Sequence, residues 1–173
     1  MRTLEFWKIV TMDQTNFLER LIALLDKHGI RYCVVGGQAV NAYVEPLVSL
    51  DLDIVVAVEQ VQEVEELLSK EFTLNRYAHS LNISSTGSDL RVQIQTDPRY
   101  SDFVRRAQPG SVLGMAMPVA NLEDVLRGKV WALQDPERRG SKRQKDLADV
   151  ARLIEAYPRL KDLVPEDIQE RLL

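Results

Sequence analysis

Two aspartates carry the clearest chemical signal in the chain: Asp51 and Asp53 alternate within Leu50-Asp51-Leu52-Asp53-Ile54-Val55-Val56. At the two-residue period of a strand, both carboxylates leave the sheet on one face, while Leu50, Leu52 and Ile54 leave on the other towards a core. Paired anions on a core-forming strand repel each other and lose hydration, and an uncompensated buried charge tends to neutralise. A divalent cation resolves that conflict, because Mg²⁺ (or Mn²⁺) takes one or two carboxylates and completes its shell with phosphate oxygens. Upstream, the β-branched run Ile30 to Val35 leads directly into Gly36-Gly37. Glycines between a strand and a helix allow close backbone approach and free N–H groups, the means of holding a phosphate beside a metal.

The elements that must position these groups follow from periodicity. Residues 13–28 read as an amphipathic helix with Phe17, Leu18, Leu21, Leu24 and Leu25 on one face, opened by a Thr11/Gln14 capping box and closed near Gly29. A strand over 30–35, a helix from Gln38 that Pro46 stops, a strand over 50–58 and a helix over 60–70 follow. Strands at about 80–85 and 90–96 flank the turn Thr86-Gly87-Ser88, and 102–107 with 111–119 suggest a weaker pair. Beyond, Asn121 with Asp124 caps a helix to about Gln134, Ser141 with Gln144 opens another to Ala156, and a short helix starts near Glu166. The expected fold class is therefore α/β, followed by a helical C-terminal part. An α/β core over 1–119 precedes a helical subdomain over 120–173.

Composition narrows the class of protein. The 173 residues are 45% hydrophobic and 28% charged, with 22 Lys+Arg against 26 Asp+Glu, which excludes a disordered or fibrous chain. The single cysteine, Cys33, cannot form an internal bridge, no apolar run reaches the roughly 18 residues of a membrane span, and the start lacks a signal-peptide stretch. A soluble cytoplasmic protein with no membrane role is expected. His28, His79 and Cys33 show no zinc-ligand spacing and read as cap or core residues.

Gly36-Gly37, a helix, then Ser49-x-Asp51-x-Asp53 resembles the core motif of the polymerase-β-type nucleotidyltransferase superfamily. Lys129 on one helix and Lys145-Asp146-x-x-Asp149 on the next resemble its AbiEii-type, toxin-like branch. The resemblance implies a nucleotidyltransferase-type mixed sheet in which Asp51 and Asp53 bind metal. Gly36, Gly37, Ser49, Lys129 and Gln93 would lie at the nucleotide, and Asp51, Asp53, Lys129 and Asp146 would be catalytic. It implies transfer of a nucleotidyl group from a nucleoside triphosphate to an acceptor hydroxyl. It further implies an RNA acceptor such as tRNA and a cognate antitoxin protein of a toxin–antitoxin or abortive-infection system.

The residues of the second stretch read consistently. Leu122, Val125, Leu126, Val130 and Leu133 form an inward stripe that flanks Lys129, whose ammonium could reach a triphosphate. Asp146 and Asp149 share a helix face, and Lys145 with Asp149 also suits a plain i,i+4 pair. Arg138, Arg139, Lys142, Arg143 and Lys145 put five cations in eight residues, which suits a nucleotide or an RNA backbone.

Two positions depart from the pattern. Gln93 stands where the superfamily carries a third strand carboxylate, and an amide cannot take a proton from a hydroxyl. Leu47 stands where the branch commonly has an arginine. Either Asp146 supplies the missing function, or the enzyme is slow, or the chain is an inactive nucleotide- or partner-binding relic. A small-molecule, antibiotic-directed adenylyltransferase is the alternative enzyme, and it would need acidic residues around its acceptor pocket.

Overall fold

The computed structural model describes residues 2–172, so the extreme ends of the expected 1–119 and 120–173 parts lie outside the described residues. In chain order the elements are α1 (Thr3–Val10), α2 (Phe17–Lys27), β1 (Tyr32–Val35), α3 (Gly36–Tyr43), β2 (Asp51–Val56), α4 (Val61–Ser69), β3 (Thr73–Arg76), β4 (Ser80–Ser84) and β5 (Arg91–Gln95). They continue with α5 (Ser101–Arg105), β6 (Gln108–Val112), β7 (Met115–Val119), α6 (Leu122–Gln134), α7 (Gly140–Ala156) and α8 (Glu166–Gln169). The strands form one mixed sheet in the order β3-β4-β5-β2-β1-β7-β6, so the α/β expectation holds.

The carboxylate-bearing strand sits at the middle of that sheet, antiparallel to β1 and parallel to β5. Leu52 and Ile54 are wholly buried on one face, and Asp51 and Asp53 emerge half-buried on the other, as the period-two reading requires. The apolar stripe of α6 joins the same continuous core as β1 and α3, through Val125, Leu126 and Val130 beside Val34, Ala39 and Val40. Helices α6 and α7 pack on each other and on α3, and so join the core rather than standing apart from it.

Several expected elements change. Of the residues expected as a strand over 102–107, those to Arg105 are helical in α5, because Phe103 alone turns inward and Asp97 initiates a helical turn by accepting from the Arg99 N–H at 3.0 Å. Residues 111–119 lie in a hairpin, β6 and β7, whose turn places Leu113 and Gly114 at φ of 52° and 81°. A leucine in that conformation conceals the turn from a reading of composition. Helix α1 and the exposed edge strand β3, with only Leu74 half-buried, have no counterpart in the periodicity.

Helix α2 starts at Phe17 rather than residue 13, and its anchor is Asp13 rather than Thr11. The buried Asp13 carboxylate accepts from the Phe17 N–H at 2.9 Å and the Leu18 N–H at 3.4 Å, while Thr11 donates back to the Trp7 carbonyl at 2.8 Å. Removing a side chain that satisfies otherwise orphaned helix N–H groups costs about 1–2 kcal/mol. Asp13→Ala is expected to lower the melting temperature by ~2–4 °C for each kcal/mol lost, with Thr11→Ser causing a smaller change. Thermal unfolding followed by circular dichroism checks the order of the two.

Candidate active site

The strand-to-helix turn at Gly36 brings backbone against carboxylate. Gly36 has a φ of 68°, and a Cβ there would stand 2.4 Å from Asp53 Oδ2, so both conformation and space require glycine. The N-terminal N–H groups of α3 thus open beside Asp53. Burial pushes the Asp53 carboxyl above its ordinary pKa; Lys129, Lys142 and Arg138 oppose the shift, and the neighbouring Asp51 adds to it. Asp51 is more open and is held by Arg91 Nε at 2.8 Å and Lys142 Nζ at 3.4 Å. Ser49 closes this end, its Oγ accepting from the Asp51 N–H at 3.2 Å and from Lys145 Nζ at 3.4 Å.

A buried ion network forms the wall opposite. Lys129, only 6% exposed, donates to Asp146 Oδ1 at 3.0 Å and lies 2.8 Å from Asp149 Oδ2. Arg138 grips Asp146 through Nε at 2.8 Å and Nη2 at 3.1 Å, and Arg152 Nη1 holds Asp149 Oδ1 at 2.9 Å. Burial pulls the Lys129 ammonium down, but Asp149 and Asp146 outweigh it and hold its pKa above the usual value. The i,i+3 spacing of Asp146 and Asp149 on α7 presents both carboxylates to one ammonium on α6.

Together these groups divide a cleft into two lobes that share Asp53, Gln93, Lys129, Arg138 and Asp146. One lobe, of about 400 Å³, is basic, with Lys142, Lys145 and Arg91 around Ser49 and Asp51. The other, of about 540 Å³, is lined by Asp97, Asp135, Glu137, Tyr100 and Trp131. Burial pushes the Tyr100 phenol up to about 12, so it stays protonated near neutrality. The Cys33 thiol is likewise pushed up to about 12 by burial, in keeping with a core residue.

A family model described as "Nucleotidyl transferase AbiEii toxin, Type IV TA system" matches residues 13–173. The chain belongs to the AbiEii family. Solved structures share the nucleotidyltransferase fold at low identity. ANT(2'')-Ia in complex with adenylyl-2''-tobramycin is 13% identical at a TM-score of 0.62, covering 92% of this chain and 99% of that one. The lincomycin-bound lincosamide antibiotic adenylyltransferase LnuA is 10% identical at 0.53, over 81% and 98%. An antigenic nucleotidyltransferase-like protein from Paracoccidioides brasiliensis is 16% identical at 0.50, over 78% and 73%. No curated protein matches the chain.

Within this AbiEii-family domain the structure gathers Gly36, Gly37, Ser49, Asp51, Asp53, Gln93, Lys129 and Asp146 around one cleft, and it divides the basic run. Arg138 and Lys142 face the cleft, and Arg139 is exposed at the helix start. Arg143 folds back on the preceding loop, donating to the carbonyls of Asp135 at 2.9 Å and Pro136 at 3.0 Å. Leu47 is 55% exposed, its backbone clamped by Asn41. Two further charges matter, Arg91 on Asp51 and Arg152 on Asp149. The strand register creates the first pair, which spacing alone could not reveal, while the second is an i,i+3 pair on α7 that spacing could have shown.

Removing the Lys129 charge strands two carboxylates that are 1% and 2% exposed. Breaking one partner of a buried ion group costs about 3–5 kcal/mol, and Arg138 and Arg152 remain to hold the loss at the low end. Lys129→Met is therefore expected to lower stability by about 3 kcal/mol, and adding Asp149→Asn is expected to restore part of it. Denaturant unfolding of the single and double variants measures both.

Proposed function

We propose that the chain is a metal-dependent nucleotidyltransferase that acts in the cytoplasm as a toxin-like member of its family. The observation that carries this reading is the pair Asp51 and Asp53, set on one face of the central strand between a glycine-opened helix N-terminus and Lys142 and Lys145.

Among the described residues no group of three or more His, Cys, Asp or Glu side chains could hold a metal by itself. Two adjacent carboxylates that need a counter-charge fit one Mg²⁺ ion that draws its other ligands from phosphate and water. Asp51 and Asp53 would hold it, and when bound it neutralises charge on the attacking and departing oxygens.

The chain's own groups supply the remaining work. Lys142, Lys145 and the N–H groups of Gly36 and Gly37 bind the triphosphate, and Ser49 donates its hydroxyl proton to a phosphate oxygen. The acceptor oxygen forms its bond to the α-phosphorus as the bridging α–β bond breaks and pyrophosphate leaves. With an amide at Gln93, both oxygens of Asp146 held by cations, and Asp51 and Asp53 committed to the metal, none of these side chains takes the hydroxyl proton, which passes to water. Asp146 then acts as a positioning residue that fixes Lys129 and Arg138 at the reacting centre.

The acceptor on this reading is an RNA, such as tRNA, met by the exposed Arg139 at the rim of the cleft, and a cognate antitoxin restrains the activity. The lobe with Asp97, Asp135 and Glu137 favours a second reading, a small cationic acceptor of the antibiotic kind. Incubation with each labelled triphosphate, Mg²⁺, and either total RNA or aminoglycosides and lincosamides separates them. Label moving into RNA supports the first reading, label on the small molecule the second. Label remaining on nucleotide throughout overturns enzymatic transfer and leaves the nucleotide-binding relic.

Asp53→Asn is expected to abolish transfer while stabilising the fold near neutral pH. A carboxylate with a raised native pKa is destabilising where it is ionised, so native stability falls as pH rises from the unfolded pKa through the native one. The melting temperature of Asp53→Asn should exceed that of the unaltered chain at pH 7, and the gain should vanish towards pH 4. Melting curves across that range, beside the transfer assay, check both halves.

A further inference from the structure

The strand register places a row of carboxamides beside the proposed reacting centre. Asp53 pairs with Gln93 of β5, Gln93 with Asn82 of β4, and Asn82 with Asn75 of β3. In-register residues point to the same face, so the row runs from Asp53 to the sheet edge over three strand spacings, about 14 Å. All of these residues line the basic lobe, with Ser84 and Arg91 alongside. Asn75, Asn82 and Gln93 are exposed, and none makes a side-chain hydrogen bond to another described residue. Asparagine is disfavoured in strands, and two of them paired in register contribute nothing to packing that would offset this.

The geometry points to this row as a nucleobase-reading surface. The inference rests on the nucleotidyl-transfer reading above. Carboxamides are uncharged and present a donor and an acceptor side by side, which matches a base edge bidentately, whereas to a phosphate or an ammonium they offer one half of that pair and no opposite charge. The lobe's cations lie at its other end, where Lys142 and Lys145 approach Asp51 and Ser49. A nucleoside triphosphate with its phosphates there and its α-phosphorus at Asp53 directs its base over Asn82 and Asn75. The same chemistry would read the terminal base of an RNA acceptor, so the two sources require separate arms.

The test measures binding of Mg²⁺ with each of the four nucleoside triphosphates, and with tripolyphosphate as a baseless probe. The proteins are the unaltered chain, Asn75→Ala/Asn82→Ala and Asn82→Asp, with melting curves to confirm folding. One good bidentate contact discriminates bases by about tenfold. The unaltered chain is expected to prefer one base by about that factor, and the double alanine variant to lose the preference while its tripolyphosphate affinity stays within about twofold. Asn82→Asp keeps the shape but replaces the donor with an acceptor, and is expected to reorder the preference. In the second arm, labelled transfer to oligonucleotides differing in the 3′-terminal base identifies the acceptor as source if that preference flattens instead. Unchanged preferences in both arms, or none in the unaltered chain, overturn the base-reading surface and leave the nucleotidyl-transfer reading standing. Failure of the unaltered chain to bind any triphosphate or tripolyphosphate overturns both.

Discussion

A desolvated carboxylate on the central strand constrains everything around it. Asp53 cannot move into solvent, because β2 is paired on both sides and Gly36 lies against its oxygen. Its charge must therefore be met where it stands. The sheet supplies Asp51 beside it, which worsens the problem, and the helices supply the cations that ease it. Gly36 follows from the same constraint, since any side chain there would occupy the space of the carboxylate oxygen.

The cations cannot simply be free. Lys129 is buried more deeply than the other cations of the cleft, Arg138 and Lys142, and without Asp146 and Asp149 it would have every reason to lose its proton. The pairings with Arg138 and Arg152 then neutralise those two aspartates in turn. The result is a wall of three cations on two carboxylates in a protein whose net charge is −4, and on the proposed function it holds positive potential beside Asp53. Such preorganisation stabilises charge that develops during reaction without reorganising solvent. It also explains how one cleft can be basic on one side and acidic on the other.

The sequence made some of this legible and hid the rest for physical reasons. Alternation around Asp51 and Asp53 and the glycines after a β-branched run are local patterns, and local patterns survive into structure. The stripe on α6 and the spacing of Asp146 and Asp149 did so as well. The hairpin of β6 and β7 was obscured by Leu113 at positive φ, and β3 by its nearly complete exposure. The pairing of Arg91 with Asp51 joins strands 40 residues apart, which no local window of sequence contains, whereas Arg152 with Asp149 is a plain i,i+3 pair on α7 that the spacing already offered. The inverse holds for the basic run. Its composition suggested one surface, and the fold sends Arg143 to the loop carbonyls and Arg138 to Asp146.

On the proposed function, Asp53 exchanges a proton for a metal-bound triphosphate. Calorimetric titration with Mg²⁺ and nucleoside triphosphate, in buffers of different ionisation enthalpy, counts the protons released on binding. The expected result is proton release at mildly acidic pH that fades as pH rises, and that disappears when residue 53 cannot ionise. Binding that is independent of Mg²⁺, with no proton release at any pH, would contradict it.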